Sequence, residues 1–148
     1  MVMRPTSSAL VLILLALPAG CGSSSVFDRN QPDPIGTWHL AAVNAHALPY
    51  VARISGTDTT VIVSSLIVLS SDGRWSKTDS VSHRTGTGAA SAVFADDGTW
   101  SRSPAGVSLQ SATKGAFELA FQGAALFGFA PMADITILLD VSYTRPPH

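Results

Sequence analysis

Positions 135 to 144 alternate between two kinds of side chain. Ile135, Ile137, Leu139, Val141 and Tyr143 occupy one set, and Thr136, Leu138, Asp140, Ser142 and Thr144 the other. A repeat of two places one set on each face of an extended strand, whereas a helix would scatter the apolar set around its circumference. Phe117, Leu119 and Phe121 repeat the alternation against Glu118, Ala120 and Gln122, as do Val107 and Leu109 against Ser108 and Gln110. The run from Val61 to Leu69 differs, with Val61, Val63, Ile67 and Leu69 on one side and Ile62, Leu66 and Val68 on the other. A strand apolar on both faces is expected to be central or to have its outer face covered.

Turn signals separate these runs at Ser55-Gly56, Asp72-Gly73, Asp97-Gly98 and Pro104-Ala105-Gly106. Asp-Gly pairs suit the positive φ angles of tight hairpins. The pattern predicts about eight strands, near residues 36–43, 48–54, 59–70, 74–84, 93–102, 106–112, 115–122 and 134–145. The one short helix the pattern leaves room for would fall in Gly123–Met132 or Gly86–Phe94. Strand edges must be hidden, and eight antiparallel strands close into a barrel just wide enough for side chains or one small ligand. The expected fold is therefore all-β, an antiparallel up-and-down barrel of about eight strands, with a two-sheet β-sandwich as the alternative.

The start of the chain follows a different rule. Arg4 is followed by the apolar run Ala9–Leu17 and then by Pro18-Ala19-Gly20-Cys21. A basic start, a short greasy middle and small residues at the end form an export signal, and the run is far below the roughly 20 residues a helical span needs. Residues 1–20 are read as a signal peptide and 21–34, rich in Gly, Ser and Pro, as a tether. The domain proper is expected over 35–145.

Leu17-Pro18-Ala19-Gly20-Cys21 resembles the bacterial lipobox, in which small residues precede a cysteine that is lipidated and becomes the mature N-terminus. The resemblance implies lipidation of Cys21 and a lipid-anchored protein of the bacterial cell envelope. Gly22 stands where an Asp would signal inner-membrane retention, so the outer membrane is implied in a diderm cell. Cys21 is the sole cysteine of the chain, so no disulfide forms within it.

Gly36-Thr37-Trp38 at the head of the first strand resembles the opening signature of lipocalins and their calycin relatives. The longer string through Leu40, Val43-Asn44 and Leu48-Pro49 is similar to small bacterial lipocalin-like lipoproteins. In that family the glycine permits a bend and the tryptophan closes the barrel floor beneath a basic residue of the last strand. The resemblance thus implies a floor of Gly36, Trp38 and Arg145, with a cation–π contact of ~0.5–2 kcal/mol.

Charge excludes some partners. The formal net charge is −1, and losing the first 20 residues removes Arg4 and no acid, which brings it to −2. Without a basic cluster there is no electrostatic basis for binding nucleic acid. Chemistry-bearing motifs are equally sparse. His39, His46, His83 and His148 lack partners at metal-ligand spacing, though Asp79 and His83 share a strand face with Val81 between them. There is no Gly-x-Ser-x-Gly elbow, and Glu118 is the single glutamate. No catalytic residue, metal site or cofactor is expected, and the chain is not read as an enzyme.

One uncharged stretch stands out between two strands, Ala124-Ala125-Leu126-Phe127-Gly128-Phe129-Ala130-Pro131-Met132. Phe127, Phe129 and Met132 there would form an apolar lip, a docking surface or a plug. The first functional expectation is a binding module for a small apolar or amphipathic ligand, held in a barrel walled by Trp38, Leu40, Tyr50, Phe117, Phe121, Ile137 and Leu139. The second is a structural or protein-interaction lipoprotein with a filled core, meeting an envelope protein through its outer face.

Overall fold

A computed structural model describes residues 31–135 and 137–146. The signal peptide, Cys21 with most of the tether, and His148 lie outside the described residues. Ten strands follow in chain order: β1 Gly36–Val43, β2 His46–Ala47, β3 Tyr50–Ser55, β4 Asp58–Leu69, β5 Arg74–Thr85, β6 Gly88–Arg102, β7 Gly106–Ser111, β8 Gly115–Gln122, β9 Ala125–Pro131 and β10 Leu138–Thr144. All pairings are antiparallel. No helix occurs among the described residues.

Closure comes from β1. Its residues pair with β10, His39 facing Thr144, and also with β4, Thr37 facing Val68. The circuit β1-β10-β9-β8-β7-β6-β5-β4 therefore closes as an eight-stranded barrel, while β2 and β3 extend from β1 and β4 as two additional strands and the 88–97 part of β6 pairs with β5 alone. Closure hides most strand edges and encloses one interior. The barrel, and not the sandwich, is the fold.

Which strands make the barrel differs from the sequence expectation. The expected strand at 48–54 corresponds to β3, Tyr50–Ser55, after a cis Leu48-Pro49 bond, and β3 lies outside the closed circuit, as does the two-residue β2 before it. The place of β3 is taken by β9, in the stretch read as an apolar connection or short helix. Gly123, at φ +60°, turns β8 into β9. Leu126 and Ala130 then point inward while Phe127 and Phe129 face outward, so both faces are apolar and no period-two signal survives. The other helical option, Gly86–Phe94, is the β5–β6 turn and the first half of β6.

The β4 face assignment also changes. Its register with β5 shifts between Ile62 and Ser64. This bulge inverts the alternation, so that Ile62 is buried with Ile67 and Leu69 while Val63 is 46 % exposed. At the chain's end, β10 begins at Leu138, leaving Ile137 58 % exposed, outside the inward row of Leu139, Val141 and Tyr143.

Two glycines have distinct causes. Gly73, at φ +79°, makes the β4–β5 turn, where Asp72 Oδ1 accepts from Arg74 N at 3.0 Å. Gly98 makes no turn, contrary to expectation. It lies inside β6 opposite Trp75 and Ser111, and a Cβ there would stand 1.9 Å from Gln110 O.

Candidate functional site

One end of the barrel is sealed by the first and last strands. The Trp38 ring is fully buried, its Nε1 donates to Pro34 O at 2.8 Å, and it meets Phe121 at 6.1 Å between centroids. Arg145 lies over the indole, with Cζ 4.5 Å from the ring centroid. Its Nη2 also donates to Ile35 O at 2.8 Å and to Asp33 O. Gly36, at φ +131°, carries the chain past this guanidinium. An open cleft of about 460 Å³ adjoins the floor, lined by Pro32, Trp38, Gln122, Ala125, Arg145 and Pro146.

Above the floor the interior is packed. Trp38, Val43, Ile62, Ile67, Leu109, Leu126, Met132 and Tyr143 are all 0 % exposed, and Phe117 and Leu139 are nearly so. A ligand-sized void would leave its walls touching open space. Of the expected cavity wall, Trp38, Leu40, Phe117 and Leu139 are core, Tyr50 and Phe121 pack partly against it, and Ile137 is outside. Tyr50 sits beside the mouth, where its hydroxyl accepts from Asn44 Nδ2 at 2.7 Å.

The core also contains charge, which the sequence reading missed. β5 points Trp75, Lys77, Asp79 and Val81 inward. Lys77 Nζ donates to Asp79 Oδ2 at 2.8 Å, with both side chains at most 3 % exposed. Lys77 also donates to Pro131 O, and Asp79 Oδ2 accepts from Ala133 N at 2.6 Å. Asp79 Oδ1 has no hydrogen-bond partner among the described residues, an omission that typically costs ~1–3 kcal/mol. Nearby, Ser65 Oγ and Tyr143 Oη share a hydrogen bond of 3.1 Å, and Asp96 accepts from Ser111 Oγ at 2.8 Å.

Burial pushes the Lys77 ammonium below its ordinary value, against the opposing pull of Asp79. The Tyr143 phenol is pushed above its ordinary value, first by burial and then by the Asp79 charge. A signal for the pair exists in hindsight. Lys77 and Asp79 are in phase with Trp75 and Val81, with Ser76, Thr78 and Ser80 on the other phase.

Asp79 and His83 do not form a joint site. Asp79 is committed to Lys77 and Ala133, whereas His83 Nδ1 pairs with Thr60 Oγ1 at 3.2 Å. Among the described residues no three of His, Cys, Asp and Glu gather as metal ligands.

Exposed large apolar residues occur at several places, with Val51, Ile54 and Val63 on β3 and β4, Val93 on β6, and Phe129 and Leu138 on the outer face of β9 and β10. Phe127 stands opposite Ala120 and Ser142, and Phe129 opposite Asp140. Phe129, Ile137 and Leu138 are 62, 58 and 57 % exposed. Together with Ala116 and Glu118, Phe127, Phe129 and Leu138 line a shallow groove of about 370 Å³. Met132, expected on the same lip, is instead fully buried in the core. The fold and site thus define a closed eight-stranded antiparallel barrel with a packed, partly charged interior. No known protein family, curated protein or solved structure matches this chain.

Proposed function

We propose that this chain is a lipid-anchored envelope protein of calycin type whose barrel is filled, and that it acts by docking a protein on the outer face of β8–β9–β10. The carrying observation is that the exposed Phe129 and Leu138 line one groove with Phe127, while the interior side chains pack to zero exposure. Exposed apolar residues grouped on one face favour a partner, whereas single ones need none. The Gly36, Trp38 and Arg145 arrangement supports the calycin kinship, and the motif at Cys21 supports the anchor.

A photocrosslinking residue at position 129 tests the docking. It should capture a discrete partner in cells, and Leu138→Asp should abolish that product while the same probe at the exposed position Thr99 captures nothing. Equal products from both positions would refute the reading. A ligand reading keeps one support, the floor cleft beside Trp38 and Arg145, which suits a small amphipathic molecule held outside the barrel. Native mass spectrometry showing a co-purified mass, lost on Ala125→Trp, would favour it.

A further inference from the structure

The connection between β9 and β10 enters the barrel mouth. Met132 is fully buried, Ala133 is 3 % exposed, and Ile135 packs against the core. Connections normally run over the surface, because buried backbone groups must find partners. Here the partners are charged side chains. Lys77 holds Pro131 O, Asp79 holds Ala133 N, and Lys114 Nζ donates to Ala133 O.

We propose that Pro131–Ile135 is a plug, latched into the barrel mouth by the Lys77–Asp79 pair, which swings out without unfolding the barrel and uncovers a chamber lined by Ser65, Asp79 and Tyr143. The β9–β10 ladder ends where Leu138 faces Pro131, so release of the plug breaks no strand pairing beyond its own anchor. The latched state also carries stored cost. Asp79 Oδ1 is buried without a partner, and Ala133, the residue that donates to Asp79, holds φ at +45°, where non-glycine residues are strained. Opening hydrates the first and relaxes the second.

Solvent reaches the residue next to Ala133 in the chain. The neighbouring Asp134 already lines an open polar cleft of about 270 Å³ with Arg53, Thr60, His83 and Arg84. The depressed Lys77 pKa agrees with a charge held out of water at some cost. Ile137 and Leu138 line one groove with Pro131, Ala133 and Ile135, yet opening of the plug is read without any partner on the outer face.

Hydrogen exchange of the full chain under native conditions, across low urea concentrations, reads the opening. The Ala133 amide should exchange at least about tenfold faster than slow amides of β8 and β10, with little urea dependence, as local openings do. Asp79→Asn keeps the shape but removes the acceptor charge, and should speed Ala133 exchange a further tenfold or so while the β8 amides change less. Peroxide oxidation of Met132 should accelerate in parallel. Equal rates and equal urea slopes for Ala133 and the β8 amides would overturn the plug. That wild-type comparison decides the matter even where Asp79→Asn does not fold.

Discussion

Lys77 and Asp79 face each other inside the barrel at 2.8 Å, two residues apart on one strand and both removed from water. Such a pair has an asymmetric energetics, because the desolvation of each ion is offset only while its partner is present. Lys77→Met is therefore expected to destabilise by roughly 3–5 kcal/mol, leaving Asp79 buried and uncompensated, whereas the double variant Lys77→Met with Asp79→Leu should be near neutral or more stable. Urea unfolding of Lys77→Met, Asp79→Leu and the double variant checks this. Additive losses would show that the pair is not coupled.

The same groups set an alkaline profile. Because the folded pKa of Lys77 is lowered, the unfolded chain binds more protons between that value and 10.5, and stability rises with pH through this window. Tyr143 works the other way. Its folded pKa is raised, so above pH 10.0 the unfolded chain loses a proton the folded chain keeps, and stability falls. Lys77→Met should flatten the rise and Tyr143→Phe should weaken the fall, both read from urea midpoints against pH.

Trp38 closes the floor, and its removal should be felt throughout the domain. Trp38→Ala is expected to cost ~3–5 kcal/mol, as for a large buried aromatic, while Arg145→Met should cost about 0.5–2 kcal/mol through the lost stacking. A loss below about 1 kcal/mol for Trp38→Ala, as at surface sites, would remove the floor from the account.

Gly98 offers a backbone test. A methyl group there would lie 1.9 Å from Gln110 O and 3.0 Å from Trp75 Nε1, so Gly98→Ala must push β6 and β7 apart. Destabilisation of ~1–3 kcal/mol or more is expected. Gly88→Ala, with nothing within 4 Å, is the matched control and should be nearly silent.

Lipidation is checked chemically. Metabolic labelling with a radioactive fatty acid should mark the wild type and fail for Cys21→Ser, which should also leave the membrane fraction. Labelling that survives Cys21→Ser would remove the anchor.

Alternation was enough to locate β7, β8 and the body of β10, because a strand with one buried face must repeat every second position. β9 was invisible to the same logic. Its outward Phe127 and Phe129 are as apolar as its inward Leu126 and Ala130, so nothing in the pattern distinguishes the two faces. The β4 bulge failed similarly, since one extra residue inverts the phase and the apolar run around Ile62 and Val63 conceals the slip.

What the chain alone determined was the all-β class and the scarcity of motifs that bear chemistry. These depend on local period and composition. Tertiary structure alone decided that β9 replaces β3 in the closed circuit, that Met132 enters the core while Phe129 stays out, and that Lys77 and Asp79 are buried together. Each of those depends on which distant strand lies alongside, and pairing partners, unlike periodicity, are not written in the spacing of a single segment.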